Sequence, residues 1–305
     1  MRGNGRKVWL NKKWVDWDDA KVSLHAHTLH YGLGVFEGIR YYKTDGGKVA
    51  IFRLGHHLKR LYDSAHIVGI SIPYPIEEIT EATKELVRIN GIDEGYIRHI
   101  VFLDEGSMGI NAIDNPISVA MSTWEWGAYL GDQGVAEGVR LKTSSYCRRH
   151  VNTTMTKAKV CGQYANSILA RWEAVKTGYD EALLLDQEGF AAEATGENIF
   201  ITKDGIIKTP PLMGVLPGIT RDSVIAIAKE AGFIINEERL TRDEFYIADE
   251  VFLCGTAAEI TPVREIDGRT IGKDTPGRIT KFLQNRFQDI IRGRADRYFD
   301  WLMLI

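Results

Sequence analysis

Apolar positions recur along the chain with two spacings, and each spacing marks out its own elements. Leu54, Leu58, Leu61, Ala65 and Val68 fall three or four apart, on one helical face, with Gly69 as a stop, so a helix is predicted over 53–68. The same period predicts helices over Ile76–Asn90, Tyr164–Lys176, from 216 to Ala231 before Gly232, and over 279–291, where Ile279, Phe282, Leu283, Phe287 and Ile290 share a face. Thr241 followed by Glu244 is a capping box for a short helix. Strand-like runs flank the polar Asn11-Lys12-Lys13, forming an opening hairpin, and recur at 48–52, 96–103, Ile117–Trp124, 139–144 and 250–254. The nearly unbroken apolar run 182–185 reads as a buried strand. Glycines at 32, 34 and 38 among aromatics predict a close-approach loop leading into a strand that runs on through Tyr41 and Tyr42. Strands, then helices, then strands describe an α+β chain rather than a doubly wound one.

A chain of 305 residues is long enough for two cores. The glycine-rich stretch from Trp126 to Gly134 is the best boundary, although its Trp and Tyr are unusual in a passive spacer. We divide the chain into a small N-terminal α+β domain at 1–127, an interdomain loop at 128–138 and a large C-terminal domain at 139–305. With 44% hydrophobic and 26% charged residues the composition is that of a globular protein, and a net charge of −3 leaves no basic excess for nucleic acid. Cys147, Cys161 and Cys254 are odd in number, without metal-type spacing, and read as reduced thiols of a cytoplasmic protein. The opening residues Met1 to Arg6 lead into the polar hairpin rather than an apolar leader, and no run has the length of a membrane span.

The chemistry gathers around residues 152–164, where Lys157, Lys159, Gly162 and Tyr164 stand among small, uncharged neighbours. A lone lysine is ordinarily a solvated surface residue. Small neighbours, however, admit a planar ligand, and a lysine beside another cation releases its proton more easily to become a nucleophile. His25, His27 and His30 invite a metal reading but lack regular spacing or a carboxylate pair, so no metal is expected. Arg60 falls at the border of its helix's apolar stripe, where a snorkelling arginine is equally natural. The helix beginning at Ile219-Thr220 is either a plain capped helix or a phosphate seat. Gly255 to Glu259 is small, hydroxylated and suited to backing a ligand. Pyridoxal 5'-phosphate requires a lysine, a partner for its ring nitrogen and a cradle for its phosphate; Lys159, Glu193 and the group Arg60, Ile219, Thr220 and Thr256 could supply them, with Tyr164 near the phenolic oxygen.

The chain resembles the branched-chain amino acid aminotransferases, members of the fold-type IV pyridoxal phosphate enzymes (aminotransferase class IV), which are built of two α/β domains joined by an interdomain loop. The likeness is carried by the segments 30–32, 35–40, 96–98, 108–111, 126–131, 158–159, 196–198, 216–221 and 255–263, and it reaches from the opening hairpin to about Gln288. It implies Lys159 as the Schiff-base lysine, Glu193 as the partner of the pyridine nitrogen and Tyr164 as the partner of the phenolic oxygen. It further implies Arg60, Ile219, Thr220 and Thr256 as phosphate contacts, with Gly196 among the residues lining the cofactor. The substrate side chain would meet Tyr31, Phe36, Gly38, Tyr96, Arg98, Trp126 and Tyr129, and its carboxylate the backbone of Thr256, Ala257 and Ala258. The implied substrates are leucine, isoleucine and valine with 2-oxoglutarate; D-amino acid and (R)-amine transaminases are the alternative within the fold. An assembly of at least two chains is implied, with Tyr31 and the loop around Met108, Gly109 and Ile110 crossing to a neighbour, and a hexamer is left open. Lys157, Cys161 and Ala194-Thr195 depart from the usual pattern and bear on tuning.

Overall fold

The computed structural model describes residues 6–305; residues 1–5, read above as part of a polar start, lie outside the described residues. The chain forms two compact units, and neither is one uninterrupted stretch.

Unit 1 takes Met1–Trp126, Ala158–Gln163 and Ile291–Ile305. Its elements are β1 (Lys7–Leu10), β2 (Lys13–Asp16), α1 (His27–Tyr31), β3 (Gly34–Lys43), β4 (Val49–Phe52), α2 (Leu54–Ile67), α3 (Ile76–Asn90), β5 (Gly95–Leu103) and β6 (Ile117–Trp124), closed by the last strand of the chain, β16 (Leu302–Leu304). The strands form an antiparallel sheet in the order β16-β4-β3-β5-β6-β1-β2. Side chains alternate across a strand, so β3 sends Val35, Glu37 and Ile39 to one face and Phe36, Gly38 and Arg40 to the other. The first face packs against α2 and α3, with Val35, Ile39, Leu54, Leu58, Leu61, Ile79, Leu86, Ile97 and Val101 all buried together. Each such side chain contributes roughly 1.5–3 kcal/mol by leaving water. The second face carries the candidate substrate residues Phe36, Gly38, Tyr96 and Arg98.

Unit 2 takes Gly127–Lys157 and Tyr164–Ile290. It contains α4 (Asp132–Glu137), β7 (Val139–Thr143), α5 (Tyr164–Lys176), β8 (Glu181–Leu185), β9 (Ala191–Ala194), β10 (Asn198–Lys203), β11 (Ile206–Thr209), α6 (Ile219–Glu230), β12 (Ile235–Glu237), α7 (Arg242–Tyr246), β13 (Glu250–Gly255), β14 (Glu259–Ile266), β15 (Arg269–Thr270) and α8 (Arg278–Ile291). Its sheet is mixed, in the order β12-β11-β10-β13-β14-β7-β8-β9, with β15 on β14. The pairs β11–β12, β14–β7 and β7–β8 are parallel. Leu183, Ile199, Ile201, Phe245, Val251 and Leu253 are buried together on one face of this sheet, and on the other face Phe200 and Phe252 stack at 4.9 Å.

Three short elements are among those not read from the sequence. The loop expected before β3 contains the one-turn helix α1, stopped by Gly32 at φ 76°. The interdomain loop holds α4, and residues 302–304 pair with β4 as an edge strand. All three are short, so no period of hydrophobicity could develop in them. The capping box is present, with Glu244 accepting from the Thr241 amide at 2.9 Å.

Candidate active site

In unit 1 the backbone of Lys159 is held on both sides. Its N–H donates to Ser64 Oγ on α2 at 3.0 Å, and its carbonyl accepts from the Phe36 amide on β3 at 3.1 Å. Val160 then bridges to Val35, and Gly162 donates to the Gly32 carbonyl at 2.9 Å. A Cβ on Gly32 would lie 2.9 Å from the Gly162 Cα, so this crossing of two chain segments needs glycine. The fixed backbone sets the direction of the lysine side chain, whose Nζ lies 4.8 Å from the centre of the Phe36 ring. Lys157 is different: it lies in a turn of unit 2, is exposed, and donates to the Val215 carbonyl at 3.3 Å. Burial, then Arg221, lowers its pKa against an opposing pull from Glu193. The segment is therefore not extended, and residues two apart do not share a side.

The second face of the unit 1 sheet surrounds one arginine with aromatic rings. The Arg98 guanidinium carbon lies 4.7 Å from the Phe36 ring centre, 5.6 Å from that of Tyr96 and 6.0 Å from that of Trp124. Trp126 meets Tyr96 edge-on at 4.7 Å. Gly38 is paired with Arg98, and a Cβ there would fall 1.7 Å from the Tyr96 hydroxyl, so the tyrosine occupies the room that the glycine leaves. Tyr31, at the end of α1, is half exposed and stacks on His27 at 4.5 Å. His27 Nε2 meets the Gly109 carbonyl at 2.7 Å, which ties α1 to the loop carrying Met108 and Ile110.

Arg60 does not snorkel. Its Nε and Nη2 donate to the two oxygens of Glu37 at 2.6 and 3.0 Å, and His57 Nδ1 meets the same carboxylate at 2.8 Å. Glu37 is fully buried. Burial by itself would raise its pKa, but Arg60 and then His57 outweigh it and hold the carboxyl well below the carboxylate range.

In unit 2 Glu193 lies on β9, buried and ion-paired with Arg148. Its second oxygen accepts from Asn198 Nδ2 and from the Leu216 amide, both at 3.3 Å. Asn198 also donates to the Leu216 carbonyl at 3.1 Å, so one amide side chain joins Glu193 to the entry of α6. That helix starts from Gly218 without a side-chain cap, with Ile219 and Thr220 buried in its first turn. Thr256, Ala257 and Ala258 form the connection between β13 and β14, whose strands pair up to Gly255 and Glu259. Tyr164 is the first residue of α5. Gly196 donates to its neighbour Glu197 at 3.1 Å. Burial, then Glu181, pushes Glu197 up to about 8, and burial, then Glu197, pushes Tyr129 up to about 12. The Tyr129 ring lies 5.7 Å from the Arg171 guanidinium, and Arg171 is ion-paired with Glu181.

Unit 1 thus gathers Arg60, Lys159, Phe36, Gly38, Tyr96, Arg98 and Trp126, with Tyr31 on α1 away from the aromatic cluster. Unit 2 gathers Glu193, Ile219 and Thr220 through Asn198, and holds Tyr164, Gly196, Thr256, Ala257, Ala258 and Tyr129 on neighbouring elements. Sequence reasoning missed Glu37, His57, Ser64, Trp124, Arg148 and Asn198. The arrangement offers a fixed amine and, separately, a clamped carboxylate able to accept from the N–H of a heteroaromatic ring. It also offers an uncapped helix start suited to a dianion.

Comparison with known proteins points the same way. The family model of amino-transferase class IV matches residues 34–266. The chain is 48% identical over 298 residues to the branched-chain-amino-acid aminotransferase of Pseudomonas aeruginosa, covering 98% of this chain and 97% of that protein. Among solved structures it is similar to the branched-chain aminotransferase of the thermophilic archaeon Thermoproteus uzoniensis with norvaline, at a TM-score of 0.93 and 42% identity, over 98% of this chain and 99% of that one. The branched-chain amino acid aminotransferase of Thermobaculum terrenum in its PLP-form (holo-form) superposes at a TM-score of 0.91 and 34% identity, over 99% of both chains.

Proposed function

The chain belongs to the class IV aminotransferases, and from that premise we propose that it moves the amino group of leucine, isoleucine and valine onto 2-oxoglutarate, yielding branched 2-oxo acids and L-glutamate. The observation that carries the reading is near-full-length identity to aminotransferases of that name, in a chain that holds Lys159 by its backbone on both sides. D-Amino acid and (R)-amine transamination is disfavoured, because these similar proteins act, by name, on branched-chain amino acids.

Pyridoxal 5'-phosphate is the cofactor, and each unit by itself offers donors that fit it: an amine in unit 1, and in unit 2 a clamped carboxylate and an uncapped helix start. When bound, it would supply an aldehyde able to take up an amino group and a ring able to accept electrons. Lys159 would hold the cofactor and act as the general base, its Nζ taking the α-proton of the amino acid and, in the return half-reaction, delivering one to the α-carbon of the 2-oxo acid. Glu193 would hold the proton on the ring nitrogen, and Tyr164 would donate to the phenolic oxygen. Ile219, Thr220 and Thr256 of unit 2 would hold the phosphate, and Gly196 would line the ring; Arg60, in unit 1, is the further phosphate contact that the resemblance implies. Ala257 and Ala258 offer backbone N–H groups to the substrate carboxylate. Phe36, Gly38, Tyr96 and Trp126 of unit 1 would shape the side-chain pocket, and the resemblance adds Tyr129 and, from a second copy, Tyr31. Purified enzyme should be yellow, and L-leucine should shift its absorbance; a colourless protein, or no shift, would refute the activity.

Arg98 lets one pocket take both substrates, because a distal carboxylate buried without a partner would be rejected. Arg98→Ala should weaken glutamate and 2-oxoglutarate by roughly 1.5–3 kcal/mol, about ten- to a hundredfold in specificity constant, and leave leucine nearly unchanged. Separate half-reaction kinetics test this, and equal losses on both substrates would make Arg98 a support of the fold.

The active form is a homodimer in a cytoplasmic setting. Support comes from Leu24, Leu29, Tyr31, Met108 and Ile110, apolar or aromatic residues exposed on α1 and the loops around it, which a second copy could cover. Sedimentation should find no fully active monomer.

A further inference from the structure

Two buried donors on the second face of the unit 1 sheet have no hydrogen-bond partner, Trp124 Nε1 and Arg98 Nε. Trp124 is 9% exposed and stands directly opposite Tyr96 in the β5–β6 ladder, with Arg98 two residues further along on the same face. A buried N–H without an acceptor is a cost to the fold. An indole N–H beside a guanidinium that has an unpaired N–H of its own describes a place prepared for an acceptor of negative charge. The aromatic faces complete the picture: with Phe36, Tyr96 and Trp124 against its guanidinium, Arg98 keeps an electrostatic partner when an apolar side chain fills the pocket.

We propose that Trp124 is a specificity-determining residue, its indole N–H serving beside Arg98 as a second fixed donor to the distal carboxylate of a dicarboxylic amino acid or 2-oxo acid. This rests on the reading of Arg98 given above. Leucine presents no acceptor, so the N–H contributes to one substrate class only, and Trp124 widens the discrimination that Arg98 begins.

Trp124→Phe keeps an aromatic ring and deletes the donor. In the holoenzyme it should lower the glutamate specificity constant and glutarate binding roughly tenfold, with leucine and 4-methylpentanoate within about twofold. Equal losses on both classes, or no loss on either, overturn the proposal. Arg98→Ala run alongside separates the two readings. Discrimination lost in Arg98→Ala and kept in Trp124→Phe overturns the role of Trp124 alone, whereas discrimination kept in both overturns the reading of Arg98 with it. A second measurement leaves the fold untouched. In wild-type enzyme with isotope-labelled indoles, the Trp124 N–H resonance should shift on adding glutarate and stay in place with 4-methylpentanoate. A resonance that moves alike with both ligands overturns the donor role.

Discussion

Lys159→Ala should lower turnover with L-leucine by about 10⁴-fold, the upper end of what a positioned proton-transfer group supplies. The expectation follows from the backbone clamp between Ser64 and Phe36, which gives this amine a fixed origin. Lys157, whose Nζ rests on the Val215 carbonyl, has no such clamp, and Lys157→Ala should stay within about tenfold of wild type, the loss expected for a remote charge at most. Borohydride reduction followed by peptide mapping gives an independent reading, with the pyridoxyl label expected on the Lys159 peptide. A label on Lys157, or an active Lys159→Ala enzyme, would exchange the roles of the two lysines.

Glu37→Gln should be the most destabilising conservative change in unit 1. Glutamine keeps the shape of the side chain but removes the charge that satisfies Arg60 and His57, and leaves a buried guanidinium uncompensated. Breaking a buried pair in this way costs roughly 3–5 kcal/mol, read as a lower urea midpoint at unchanged slope. The pH dependence has a definite sign. The folded state holds the Glu37 carboxyl well below its ordinary range, so its contribution is fully present above the unfolded value of about 4.3 and fades as pH falls toward the folded one. The difference between wild type and Glu37→Gln should therefore be constant near neutrality and shrink in acid. A difference that grows in acid would mean that the carboxyl is protonated in the fold.

The long elements were legible because burial on one face imposes a period. Ile76–Asn90 and Ile117–Trp124 have the ends read from the sequence, and α2 differs by a residue at each end. The same period held a signal that was passed over. His57 and Ser64 sit on the apolar stripe of α2, and Glu37 stands between Val35 and Ile39 on the core face of β3. A polar residue at a core position must have a partner, so each was a candidate for the networks in which it is found. Arg148 and Asn198 gave no such sign. Their importance lies in meeting Glu193: Asn198 does so from the neighbouring strand β10, and Arg148 from the segment after β7, where its backbone N–H donates to the Leu185 carbonyl at 2.7 Å. The motif residues were read from resemblance, which names positions without stating their contacts. Arg60 was assigned in that way, while its grip on Glu37 was not foreseen.

Unit 1 contains strands made well before unit 2 and is completed by residues 291–305. These bring Arg292 to the Lys43 carbonyl at 2.7 Å, Arg294 to Asp45, and β16 to the edge of β4. On the ribosome, where a chain is synthesised at about 5–20 residues per second and domains fold as they emerge, this order has a cost in time. The earliest half of the protein must wait, with the edge of β4 uncovered, while all of unit 2 is translated. An uncovered edge strand is an invitation to pair with a stranger. Nascent chains arrested before residue 291 should therefore be the ones that ribosome-associated chaperones hold longest, and release should follow once β16 has been made.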